Sequence, residues 1–218
     1  MKKALRFVAL LLVFALFASG SVFAQKIRIA MVVKGLGNGF FEACRDGGQE
    51  AAKELGNVEL IYQGPATPTA EGQIEIIDSL IAQRVDAIAI SANDRDALVP
   101  ITKKAMKAGI KVISFDSGIS KDGRMVDLVP SKEDLIGRQQ VQLIAELIGK
   151  KGEIAILSAT SQATNQNAWI GWMKEELKKP EYSQMKLVAT VYGDDLSDKS
   201  YREALGLFES YPNLRGII

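Results

Sequence analysis

From Ile27 onward, two kinds of segment take turns along the chain: short apolar runs, and longer stretches whose apolar residues recur at helical spacing. Ile27 to Val33, Val58 to Tyr62, Ala87 to Ser91 and Lys111 to Phe115 read as strands. Between them the pattern predicts helices over Phe40 to Leu55, Glu71 to Gln83 and Asp96 to Ala108. Ile74, Ile77 and Ile81 mark the apolar face of the second helix, and Leu98, Ile101 and Ala105 that of the third. Ala87-Ile88-Ala89-Ile90 has no polar member and reads as a strand buried on both faces. Gly56 and Gly109 stand where helix C-caps belong. A short run from Met125 to Val129 precedes Pro130, and Ser131-Lys132-Glu133-Asp134 carries the residue types of a capping box for a helix reaching about Gly149.

A second series follows: a strand over Glu153 to Leu157, a helix over Gln166 to Lys178, a strand over Lys186 to Tyr192, a helix over Asp198 to Tyr211, and a strand from Leu214. Strand–helix alternation calls for parallel sheets, so the expected fold is α/β with two doubly wound lobes, residues 25–129 and 130–218. The second lobe has fewer strands than the first and stops at Gly216-Ile217-Ile218 in mid-strand. A truncated chain or fragment is therefore expected.

The first 24 residues change the picture of where the chain works. Lys2, Lys3 and Arg6 precede an apolar run from Phe7 to Ala18, and Ser21-Val22-Phe23-Ala24 offers the small residues of a cleavage site before Gln25. This pattern predicts a cleaved secretory signal peptide and a periplasmic protein. Removing it lowers the Lys and Arg count from 27 to 24 against 26 Asp and Glu, a net charge of −2, which argues against nucleic acid as a partner. A single cysteine, Cys44, excludes an intramolecular disulfide and reads as a small buried residue. Histidine is absent, which removes the usual general base and the commonest metal ligand. No cofactor, metal or catalytic residue is expected.

Candidate chemistry gathers just beyond the strands, where open parallel sheets hold their ligands. Lys34-Gly35-Leu36-Gly37-Asn38-Gly39-Phe40-Phe41 is a glycine-rich loop with polar groups at Lys34 and Asn38 and two aromatics. It fits neither a dinucleotide fingerprint, since Phe40 stands where a third glycine is needed, nor a phosphate loop, since no Gly-Lys-Ser/Thr opens the helix. Its alternate glycines can take positive φ and approach a small, hydroxylated, uncharged guest. Asn93 and Asp94, Asp116, and Thr164-Asn165-Gln166 end other strands. Amides and carboxylates suit hydroxyl pairs, and aromatic rings suit the C–H face of a sugar. Asp116 has no helix to cap. Asp94 reads as a helix cap, Asp194-Asp195 as a surface turn, and Trp169 with Trp172 as core packing.

Taken together, the glycine-rich loop, Gly64-Pro65 through Glu71-Gly72-Gln73, Ser91-Ala92-Asn93-Asp94, Asp116-Ser117 and Thr164-Asn165-Gln166-Asn167 resemble the periplasmic sugar-binding proteins of bacterial ABC importers. The resemblance is to the type I, ribose-like fold, and within it to the rhamnose-binding and autoinducer-2-binding branch. It implies two hinged lobes that close on one sugar-like ligand and deliver it to a membrane permease, acting as a monomer. It also implies ligand contacts at Lys34, Asp116, Asn165 and Gln166, with Phe40 and Phe41 walling the pocket. Autoinducer-2 receptors similar to this chain carry an aspartate where Asn165 stands, which leans the expectation toward a rhamnose-like deoxyhexose. The rival classes are a carbohydrate-processing enzyme, for which no facing carboxylate pair is evident, and a sugar-responsive transcription regulator, whose DNA-binding helices would stand where the export signal is.

Overall fold

The computed structural model describes residues 26–218; the segment expected to be a signal peptide lies outside the described residues. In the first sheet β1 (Ile27–Val32), β2 (Val58–Gln63), β3 (Ala87–Ile90), β4 (Lys111–Phe115) and β5 (Val126–Leu128) run parallel in the order β2-β1-β3-β4-β5. Helices α1 (Gly39–Leu55), α2 (Ala70–Ala82) and α3 (Val99–Lys107) make the crossovers. Pairing runs from Ile27↔Val58 to Val32↔Gln63 on one side of β1 and from Ile29↔Ala87 to Val32↔Ile90 on the other. The direction of winding reverses at β1, so the loops after β1 and β3 diverge and leave a crevice between them.

After β5 the chain enters α4 (Glu133–Ile148) and a second parallel sheet, order β7-β6-β8, formed by β6 (Gly152–Ser158), β7 (Met185–Tyr192) and β8 (Leu214–Ile217) with α5 (Thr164–Leu177) and α6 (Ser197–Ser210). Winding reverses again at β6. Each lobe has its own apolar core, the first built on Ile77, Leu80, Ile88, Ile90 and Val112, the second on Val141, Ile154, Ile156, Met173 and Tyr182. Where α4 crosses α5, a Cβ on Gly137 would sit 2.4 Å from the Trp169 carbonyl oxygen, so only glycine permits that approach. Among the described residues no helix is long and apolar enough to cross a membrane.

Several local expectations need correction. α3 begins at Val99, not Asp96, because the Asp94 carboxylate accepts from the amides of Asp96 (2.8 Å) and Ala97 (2.9 Å) and holds a turn there. The capping box at Ser131 does not form: the N-cap is Lys132, with no side-chain bond to the helix. β3 is not buried equally on both faces, since Ile88 and Ile90 are fully covered while Ala87 and Ala89 are half-buried. Of the three alternate glycines only Gly37 takes positive φ (81°); Gly39 is already the first residue of α1. Cys44 is half-buried, not buried, and loss of hydration raises its thiol pKa, with Asp116 adding to the rise.

Candidate binding site between the lobes

The loops at the carboxyl ends of both sheets meet around a cavity of about 250 Å³. The first lobe contributes Lys34 and Asn38 after β1, Phe40 and Phe41 from the start of α1, and Asp116 after β4; the second contributes Asn165, Gln166 and Trp169 from α5, and Asp195 after β7. The volume lies below the roughly 300 Å³ at which drug-sized sites begin, so it suits a guest about the size of one sugar ring.

Asn165 stands at the centre of the polar wall. Its Oδ1 accepts from Lys34 Nζ at 3.0 Å and from the Gln166 amide at 2.9 Å, while its Nδ2 donates to Asp116 Oδ1 at 3.2 Å. Ser91 Oγ donates to the other Asp116 oxygen at 2.7 Å. The Lys34–Asn165 and Asn165–Asp116 bonds cross from one lobe to the other, and the first joins two nearly waterless side chains: Lys34 is 4% exposed and Asn165 5%. Burial pulls the Lys34 pKa below the ordinary lysine value of 10.5, and Asp116 and Asp195 push it back up. One of the three ammonium hydrogens is taken by Asn165, which leaves donors for a guest. Gln166 Oε1 is held loosely by Ser158 Oγ at 3.5 Å.

Aromatic groups form the apolar wall. Asn38 is the N-cap of α1, its side chain accepting from the Phe40 amide at 2.9 Å, and this aims the first helical turn at the cavity. Phe41 is buried (3% exposed) and meets Phe115 edge-to-face at 6.4 Å, whereas Phe40 is 51% exposed and packs edge-to-face on Phe41 at 5.2 Å. Trp169 packs on the second core and also lines the cavity. Its indole N–H is buried without an acceptor among the described residues.

Asn93 stands apart from the other expected site residues. It does not line this cavity; its side-chain amide donates to the carbonyls of Lys34 (2.8 Å) and Thr69 (3.1 Å), so it ties the loop after β1 to the start of α2. Gln73, which carried no site assignment in the sequence, supports the same loops. Fully buried, it donates to the Val33 (3.0 Å) and Ser91 (2.7 Å) carbonyls and accepts from the Asn93 amide (2.8 Å). A glutamine on the apolar face of α2 was the available signal.

Like Trp169, which reads from the sequence as core packing alone, Asp195 reads there as a surface-turn residue and not as part of the site. It is exposed at the rim yet lines the cavity, with φ of 57°. Crowding by the cavity wall raises its carboxylate pKa, Lys34 opposes that rise, and Asp116 and Asp194 add to it. Among the described residues no group of three or more His, Cys, Asp or Glu is placed to hold a metal ion.

Comparison with known proteins adds an independent line. The family model of the periplasmic binding protein domain matches residues 29–218. The D-ribose/D-allose-binding protein of Pseudomonas aeruginosa is 29% identical over 203 residues, covering 89% of this chain and 62% of that protein. A crystal structure of an ABC transporter solute binding protein from Clostridium phytofermentas with bound L-rhamnose is 35% identical, with a TM-score of 0.83, over 89% of this chain and 60% of that one. LsrB from Clostridium saccharobutylicum in complex with AI-2 has a TM-score of 0.81 over 85% of this chain and 60% of that one. At 21% identity, this last likeness concerns the fold alone. The chain thus spans about three-fifths of the length of these relatives.

Proposed function

Because the chain belongs to the periplasmic binding protein family, we propose that it is the solute receptor of a bacterial ABC importer. In this reading it is exported, closes its two lobes, residues 25–129 and 130–218, on a monosaccharide in the periplasm, and hands it as a monomer to a membrane permease. A rhamnose-like deoxyhexose is the favoured guest. The reading makes it a carrier that does not transform its ligand.

One observation carries the proposal: a ring-sized cavity between the lobes whose polar wall is the Lys34–Asn165–Asp116 chain and whose apolar wall is Phe40 and Phe41. A buried ammonium can donate to a ring or hydroxyl oxygen, a carboxylate can accept from one or two hydroxyls, and an aromatic face takes the C–H side of the ring. Lys34, Asn38, Phe40, Phe41, Asp116, Asn165 and Gln166 are the proposed contacts. Asn93 acts one step removed, by holding the loop that carries Lys34. The likeness to a protein with bound L-rhamnose supports the choice of guest.

A thermal-shift screen tests the proposal with L-rhamnose, D-ribose, D-allose, D-galactose and autoinducer-2. Ligand at a hundred times its Kd stabilises the folded state by about 2.7 kcal/mol, a rise in Tm of roughly 5 to 10 °C for a chain of this size. A shift with autoinducer-2 alone would replace the sugar with that signal; turnover of aryl glycosides would overturn the receptor reading.

A further inference from the structure

The cavity's charges do not balance, and the residue responsible is Asp195. Among the described residues lining the cavity Lys34 is the one cation, and it faces two carboxylates, Asp116 and Asp195. Asp116 is occupied by Ser91 and Asn165. Asp194, next in sequence, pairs with Lys199. Asp195 has neither a hydrogen-bond nor an ion-pair partner among the described residues. Its placement is nevertheless fixed: the Gly193 amide donates to the Ser158 carbonyl at 2.8 Å, the Asp194 amide to Ala159 at 3.2 Å and the Leu196 amide to Gly193 at 2.9 Å, so the loop is tied to the end of β6. Asp194 and Asp195 both lie in the left-handed region (φ 55° and 57°), which aspartate tolerates better than most residues.

We infer that Asp195 is a charge filter at the rim of the binding cavity, admitting guests that donate hydrogen bonds there and turning away sugar acids. The inference rests on the receptor reading above and narrows its ligand class to neutral polyols and amino sugars. An ionised carboxylate only accepts, so a hydroxyl or ammonium group completes it, whereas a second carboxylate leaves two like charges facing each other with water partly excluded. Lys34 does not offset an anionic guest, because its single charge already faces the two carboxylates Asp116 and Asp195, and a guest carboxylate would be a third.

The test titrates the full chain and its Asp195→Asn variant, by calorimetry, with L-rhamnose, D-ribose, D-allose, D-galactose, D-galactosamine, D-glucuronate and D-galacturonate. Asparagine keeps the shape and the tolerance of positive φ while removing the charge; Asp195→Gly serves if the first variant melts lower than the parent. The expected result is binding of a neutral sugar at least tenfold tighter than either uronate, with the variant narrowing that gap at least tenfold. An unchanged gap, or a uronate binding the parent best, overturns the filter and leaves the receptor reading standing. If no neutral sugar or amino sugar binds the parent, the receptor reading falls and the filter falls with it.

Discussion

Lys34 Nζ lies 3.0 Å from Asn165 Oδ1, a hydrogen bond between residues 131 positions apart that joins the loop after the first strand of one lobe to the first turn of a helix in the other. Both partners are almost wholly buried, so the bond forms in a setting where an unmade one is costly. On the proposed receptor reading, the same side chains would serve both closure of the lobes and recognition of a guest.

Asp116 is the first residue to test. Its backbone has φ of 58°, a conformation asparagine adopts readily and alanine does not, so Asp116→Asn separates ligand chemistry from backbone strain. Losing a charged acceptor for guest hydroxyls removes about 1.5 to 3 kcal/mol, an affinity loss of tenfold or more. Calorimetry on a folded variant checks this; unchanged affinity would remove Asp116 from the site.

Asn165→Asp has two opposed effects that the geometry makes explicit. A carboxylate would strengthen the contact with Lys34 but lose the donor to Asp116, placing two acids about 3 Å apart. We expect affinity for a rhamnose-like sugar to fall by roughly 1 to 3 kcal/mol, and affinity for a furanosyl diol such as autoinducer-2 to improve relative to it. Titrating both proteins with both ligands decides: an unchanged ratio means that Asn165 does not select the guest.

Gln73→Met keeps volume and deletes three hydrogen bonds, to the Val33 and Ser91 carbonyls and from the Asn93 amide. Each buried group left unpaired costs about 1 to 3 kcal/mol. The variant should lose at least 3 kcal/mol of stability in urea titrations and bind sugar more weakly, because the loop bearing Lys34 loses its support. Parental stability would mean that water replaces the amide.

Glu176 predicts the acid limit of the second lobe. Its carboxylate is fully buried, which by itself would raise its pKa, but hydrogen bonds from Lys179 (2.7 Å), Gln142 (3.0 Å) and Arg138 (2.8 Å) bring it down to about 2 from an ordinary 4.5. A pKa lowered on folding contributes stability that is fully present above the unfolded value and is lost as pH falls through the folded one. On the order of 3 kcal/mol should disappear between pH 4.5 and pH 2, and Glu176→Gln should flatten that part of the stability profile. An unaltered profile would place the acid sensitivity in other carboxylates.

Order and type of the elements could be read from the amino acids alone, because strand and helix each impose their own period on apolar side chains and the parallel crossovers follow from the alternation. The α/β class, the loop from Lys34 to Phe41 and the strand-end position of Asp116 needed nothing more. What the chain's order cannot express is which strand tips converge. Lys34, Asp116 and Asp195 lie on three separate loops and Asn165 in the first turn of α5, and they share one cavity only because the winding of each sheet reverses beside them and the two lobes face each other. For the same reason Asn93, polar and at a strand end like the others, is spent on backbone carbonyls, while Asp195, which looked like an ordinary turn residue, lines the cavity with a charge that has no partner among the described residues. A polar residue's local setting shows that it can make hydrogen bonds; which groups arrive to meet it is decided by contacts more than a hundred residues apart in sequence.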